Sequence, residues 1–374
     1  MNFLRSLARV TTVVLVSSFL LATVLLRAAD KRQTENIVLV TADGLRWQDL
    51  FRGIDPALMT AEQAGMKDLG DLRGKLWAES AEERRRLLMP FFWNEFVKNG
   101  AVLGNRDKGS SVRVSNRYRV SYPGYSEILT GRAQDEVIKG NDPIQNPTET
   151  VLEFLRRRWN LKPEQVALFG SWEVFQVIGE HKPGSVFISA GCRALEGGRL
   201  SPRLRELSRI QFEVLPPWRS VRHDYFTLEM AFEYLKTARP RAMYIALDET
   251  DDWAHDRRYD RVLESITLFD QSLRRLWETL QSMPAYKGKT TLLVTSDHGR
   301  GGTLEDWHNH GDDVAGAEFI WIAAIGPDTP AAGEIGSGEY FQRDIAPTLL
   351  ELAGVPSSEY QGALGKPIQV LLKP

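Results

Sequence analysis

The sequence predicts an α/β fold: a mostly parallel, doubly wound sheet with helices on both faces. Three observations predict it. Apolar, β-branched runs of strand length recur along the chain, with amphipathic stretches of helical length between them. Several runs are apolar at every position, which marks strands buried on both faces. Three of those runs stop abruptly at carboxylates or imidazoles, where open α/β sheets bind ligands. With 374 residues, 43% of them hydrophobic, the chain can bury a large core.

Residues 36–41 read as the first buried strand, ending at Ala42-Asp43-Gly44, and residues 45–51 as a helix. A helix is expected over 81–98, with residues 82–86 as its solvated charged face and a break or second start at Pro90. Residues 101–103 form a short strand. A helix at 149–159, a strand at 166–169, a helix at 172–178 and a strand at 186–189 continue the alternation. Residues 193–223 are rich in arginine, contain Pro216-Pro217, and read as an insertion over one sheet edge, either a solvated excursion or a lid. A helix at 226–237, a strand at 241–247, a helix at 259–280 and a strand from 291 follow. Residues 318–325 give one more strand. The last helix covers 340–352, kinked or restarted at Pro347 and stopped by Gly354.

The N-terminus is basic to Arg9. Residues 10–26 then carry no charge, and Ala28-Ala29 follows. This pattern predicts an export leader over 1–29, either cleaved or kept as a membrane anchor. The product would be periplasmic or secreted, with one domain over 34–374. The formal net charge is −2; without Arg5, Arg9 and Arg27 it is −5. That balance speaks against a nucleic-acid partner but not against a small anionic substrate, which local fields decide. The single cysteine, Cys192, excludes an internal disulfide and a thiolate metal cluster.

Pro123 suits the first turn of a helix, with Ser121 just ahead of it. The Ser121 hydroxyl would then lie beside free N–H groups and the positive end of a helix dipole, as a nucleophile or as an ordinary N-cap. Asp43 could equally be a turn former. Asp251 and His255, four apart, fall on one face of a helical turn. Asp297 and His298 end a strand, and Gly299 lets the backbone turn away. His308 and His310 lie in the polar loop beyond. Asp43, Asp251, His255, Asp297, His298 and a histidine near 310 could therefore converge at one sheet edge. Six oxygen and nitrogen ligands suit two divalent metals with open positions, zinc first and manganese as the alternative. Paired metals serve displacement at phosphorus, with Ser121 as the attacking oxygen.

The ordered series Val-Thr-Ala-Asp43-Gly, Val-Ser121-Tyr-Pro-Gly-Tyr, Asp251-x-x-x-His255, Ser-Asp297-His298-Gly and a later His-Gly resembles the alkaline phosphatase superfamily. Within it, the chain resembles the type I phosphodiesterase/nucleotide pyrophosphatase branch. The resemblance implies that Asp43, Asp297 and His298 bind the metal at Ser121. It assigns Asp251, His255 and His310, with His308 as the alternative to His310, to the second metal. Asn141 resembles the branch's phosphate-contacting asparagine. Two departures stand out. The branch usually carries threonine where Ser121 stands, and Tyr125 replaces the arginine of a sulfatase's nucleophile loop. The implied activity is hydrolysis of a small phosphate mono- or diester through a phosphoseryl intermediate. The alternatives are a phosphomutase, a sulfatase-like hydrolase and a non-catalytic exported metal-binding protein. A mutase of this superfamily would need a much larger insertion than 193–223.

Overall fold

The computed structural model describes residues 32–59, 64–67, 69–195, 200–216 and 218–374. The expected leader, residues 1–29, and Pro217 lie outside the described residues. Among those residues no helix is long and apolar enough to cross a membrane.

Among the described residues, eleven strands form two sheets. They are β1 (Asn36–Ala42), β2 (Ala101–Leu103), β3 (Ser110–Arg113), β4 (Val166–Gly170), β5 (Phe187–Ala190), β6 (Ala242–Leu247), β7 (Thr290–Thr295), β8 (Phe319–Ile320), β9 (Ile322–Ile325), β10 (Gly333–Glu334) and β11 (Gly338–Phe341). The main sheet runs β10-β2-β9-β7-β1-β6-β4-β5, and β11-β3-β8 form a small second sheet. From β7 to β5 every pairing is parallel; β9 alone runs against its neighbours β7 and β2. This is the mostly parallel α/β sandwich that the strand pattern predicts.

Side-chain alternation splits each central strand between two cores. Val38, Val40, Met243, Ile245, Leu292 and Val294 pack on one face, against helices Asp224–Thr237 and Tyr259–Ser282. Ile37, Leu39, Tyr244, Ala246 and Leu293 pack on the other, against helices Ser121–Thr130, Val151–Arg158 and Ile345–Leu352. Register then gathers the strand tips. Thr41 stands opposite Thr295, and Ala42 opposite Leu247. The loops that begin at Asp43, Asp248 and Ser296 therefore leave the sheet side by side.

The break expected at Pro90 is present, and several other elements differ from the sequence reading. The stretch 81–98 is two helical pieces: Ala81–Leu88, then a wide turn at Phe92–Phe96 past Pro90. The Asp270 carboxylate accepts the Phe91 and Phe92 N–H groups at 3.0 and 2.7 Å and starts the second piece. The charged run before it is only partly solvated. Arg84 and Arg85 are buried; Arg84 donates to the Ala78 and Glu79 carbonyls, while Arg85 pairs with Glu334 at 3.1 Å over the Trp93 ring. The single strand expected at 318–325 switches sheets at Trp321, whose indole Nε1 donates to the Leu45 carbonyl at 3.0 Å. Tyr340 and Phe341 belong to β11, so the last helix begins only at Ile345, with Pro347 in its first turn. In the arginine-rich segment, helix Pro202–Ile210 buries Leu204 and Leu207 in the core instead of standing free in solvent.

Candidate active site

Ser121 is the first residue of its helix and is buried. Val120 takes the N-cap position, and the Ser121 hydroxyl makes no capping bond. The plain N-cap role is thus absent. The Ser121 Oγ instead lies 3.4 Å from His298 Nε2.

Two groups of ligand-type side chains face each other at the strand tips. Asp43, Asp297 and His298 form one; Asp251, His255 and His310 form the other. The two groups touch. The His298 and His310 rings stack with centroids 3.8 Å apart, and His298 Nε2 is 3.7 Å from Asp251 Oδ1. Asp251 and His255 lie on the helix Glu249–His255, as their spacing requires, with Asp251 Oδ2 3.1 Å from His255 Nε2. His308 stays outside both groups and offers only its backbone carbonyl, to Arg300. His310 is the histidine that the loop delivers.

The donor set fits cations. A backbone carbonyl can only accept, so the 3.0 Å contacts of His298 Nδ1 with Gly299 O and of His310 Nδ1 with Arg119 O place a hydrogen on each Nδ1. Each Nε2 then turns toward its group, the arrangement that outer partners impose on metal-binding histidines. Asp43 Oδ1 and Asp297 Oδ2 are buried without a conventional hydrogen-bond partner and face His298 Nε2 at 3.2 and 3.5 Å. His255 Nε2 and His310 Nε2 meet at 2.9 Å. Orphaned buried oxygens and opposed ring nitrogens are what a bound cation resolves.

The electrostatics of the site point the same way. Burial first, then the neighbouring Asp43 charge, pushes the Asp297 carboxyl well above its ordinary value. Burial would lower His298, yet the Asp297 and Asp43 carboxylates raise it to about 9. Without a cation, a proton sits at Nε2. A metal must displace that proton, so loading should release it at any pH below about 9. The expected outcome is an apparent affinity that climbs with pH by about tenfold per unit for each proton displaced, the raised Asp297 carboxyl adding its proton to that of His298. Calorimetric titrations in buffers of different ionisation enthalpy would check it.

The surrounding shell contains residues that the ligand pattern does not reveal. The Tyr125 hydroxyl, one turn along from Ser121, donates to Asp43 Oδ2 at 2.9 Å. Thr250 Oγ1 donates to the Asp43 carbonyl at 2.5 Å, and the Gly44 N–H donates to Asp297 Oδ1 at 3.0 Å. The buried Arg300 guanidinium pairs with Asp251 Oδ1 and donates to the Gly44 carbonyl at 3.1 Å. Asn141 reaches the site: its Oδ1 accepts the Tyr122 N–H at 2.9 Å, next to Ser121.

Two glycines permit the close packing. Gly299 has no left-handed backbone; a side chain there would meet the Phe319 carbonyl at 2.2 Å, so close approach, not turning, is its reason. A Cβ on Gly124 would lie 2.3 Å from the Asp297 carbonyl. Gly124→Ala should therefore push helix Ser121–Thr130 off the β7 tip. We expect a loss of about 1–3 kcal/mol with impaired turnover, checked by denaturant unfolding and steady-state rates.

The family model described as type I phosphodiesterase/nucleotide pyrophosphatase matches residues 91–322, more than half of the chain. The chain belongs to this family. No curated protein sequence gives a significant match. Among solved structures, the wild-type alkaline phosphatase PafA is 12% identical with a TM-score of 0.56, covering 92% of this chain and 100% of its own. The phosphonate monoester hydrolase SpPMH from Silicibacter pomeroyi is 13% identical at 0.51, covering 91% and 76%. BT1596, a 2-O GAG sulfatase, is 14% identical at 0.54, covering 91% and 74%. The type I phosphodiesterase family member described here thus has the alkaline phosphatase superfamily hydrolase fold.

Proposed function

We propose that the chain hydrolyses a small phosphate mono- or diester, with Ser121 as nucleophile. One observation carries the reading. The Ser121 hydroxyl, free of any capping duty at a helix N-terminus, lies against the Asp43/Asp297/His298 group, and the Asp251/His255/His310 group is stacked beside it. Two divalent cations, zinc first and manganese as the alternative, would be held by these groups and would neutralise charge developing on the reacting oxygens.

The helix N-terminus favours the Ser121 alkoxide. Its Oγ attacks phosphorus in line, the bond to the leaving oxygen breaks, and a phosphoseryl intermediate forms. A water molecule then attacks the same phosphorus, the bond from phosphorus to Oγ breaks, Ser121 regains its proton, and phosphate leaves, or a phosphate monoester when the substrate is a diester. Asn141 Oδ1 is spent on the Tyr122 N–H, and its amide nitrogen has no protein partner among the described residues. That nitrogen would donate to a phosphoryl oxygen.

Tyr125 bears on the sulfate alternative. Where a sulfatase carries its loop arginine, this chain has a hydroxyl committed to Asp43. The leader would direct export, with residues 10–26 as a membrane anchor if they are retained.

The test is a rate comparison on metal-loaded protein with p-nitrophenyl phosphate, its bis ester and the sulfate ester. Turnover of either phosphate ester well above that of the sulfate is expected. A sulfate rate equal to or above both would sink the assignment.

A further inference from the structure

A line of hydrogen bonds starts on the nucleophile's own helix and ends on the second ligand group. Glu127, fully buried on helix Ser121–Thr130, accepts from the Ser115 N–H at 2.8 Å, the Asn116 N–H at 2.8 Å, Asn116 Nδ2 at 2.9 Å and the Arg343 N–H at 3.0 Å. It therefore fixes the loop ahead of Ser121. Asn116, also buried, turns its Oδ1 to the Arg119 N–H at 2.8 Å. Arg119 has a φ of 52°, the left-handed region. The left-handed region is unfavourable for a non-glycine residue, so the conformation persists only if its surroundings impose it. With the Arg119 peptide so turned, its carbonyl accepts from His310 Nδ1 at 3.0 Å. His310 Nε2 then faces His255 Nε2 at 2.9 Å and Asp251 Oδ1 at 3.7 Å.

We infer that Asn116 is a positioning residue which, through the Arg119 peptide, presents His310 Nε2 to the second metal. Glu127 ties that support to the nucleophile helix, so the serine and the second site are held in one frame. The inference rests on the two-metal reading above. It assigns the Arg119 backbone this task and not the guanidinium, which lies 3.4 Å from Glu318 and donates to the Val314 carbonyl. Outer partners of metal-binding histidines are worth about 10–100-fold in affinity or activity.

The test uses zinc titration of the full chain and ¹⁵N-histidine NMR of the metal-free protein. Asn116→Ala should weaken the second zinc site about 10–100-fold, leave the first site unchanged, and erase the fixed Nδ1–H form of His310. Asn116→Ser keeps a short acceptor for the Arg119 N–H and should fall between the two. Arg119→Gly keeps the carbonyl, removes the strain, and should bind both ions like the native chain. The inference is overturned if N116A and N116S bind the second ion normally with an unchanged His310 signal. It is also overturned if R119G is as damaged as N116A. Should N116A fail to fold, N116S carries the comparison, and native affinity at its second site overturns the inference. His310→Ala separates the two levels: if it retains the second ion, the two-metal reading fails, whatever Asn116 does.

Discussion

Ser121→Ala is expected to lower turnover by about 10⁴-fold or more, the scale seen when a covalent nucleophile is removed. The protein should keep its fold and both metal ions. The first residue of the helix makes no capping bond, and Val120 holds the N-cap position. Alanine therefore removes no hydrogen bond that the helix needs, and stability should move by less than about 0.5 kcal/mol. A structural role for Ser121 would show the reverse pattern, with lower stability and modest loss of rate. Acid quenching during turnover should trap a phosphorylated serine in the native chain and none in S121A. Retained turnover in S121A would exclude the covalent route.

The second large effect separates the two ligand groups. His298→Ala should remove the ion at Ser121 and with it activation of the nucleophile, cutting the burst of phosphoserine formation about 10³-fold. His310→Ala should empty mainly the second site and slow the steady state more than the burst. The contrast follows from position. His298 Nε2 is 3.4 Å from the Ser121 Oγ and 3.2 Å from Asp43 Oδ1, whereas His310 Nε2 faces His255 and Asp251. The rings stack at 3.8 Å, so the double variant should not be the sum of the singles. Metal analysis with rapid-quench kinetics measures both. Identical metal loss in the two variants would remove the division of labour.

The central strands were legible because they are apolar on both faces, and the ligands were legible because they cluster at strand ends. Register brings the tips carrying Asp43, Asp251 and Asp297-His298 together, the helical turn adds His255, and the loop beyond β7 adds His310. The illegible parts lack such a signal. β3 and β11 are short, partly solvated and paired with each other across the chain, so neither local composition nor period marks them. The burial of Arg85 depends on Glu334 and the Trp93 ring, and that of Arg84 on the Ala78 and Glu79 carbonyls. Arg119 looks like any surface arginine, since the backbone conformation that gives it meaning is invisible in composition. Tyr125 and Arg300 are visible only once Asp43 and Asp251 have places.

The sheet also dictates when the site can come into being. β1, the earliest strand in the chain, lies between β6 and β7, whose residues are made more than 200 positions later. During synthesis β1 has neither of its neighbours, and such long-range closure is slow. A chain shorter than His298 cannot complete the first ligand group, and one shorter than His310 cannot complete the second. A complete ligand group is therefore absent during the earliest steps of folding and cannot guide them. If the chain crosses a membrane before it folds, the ions available at its destination, not those where it is synthesised, determine which metal it carries.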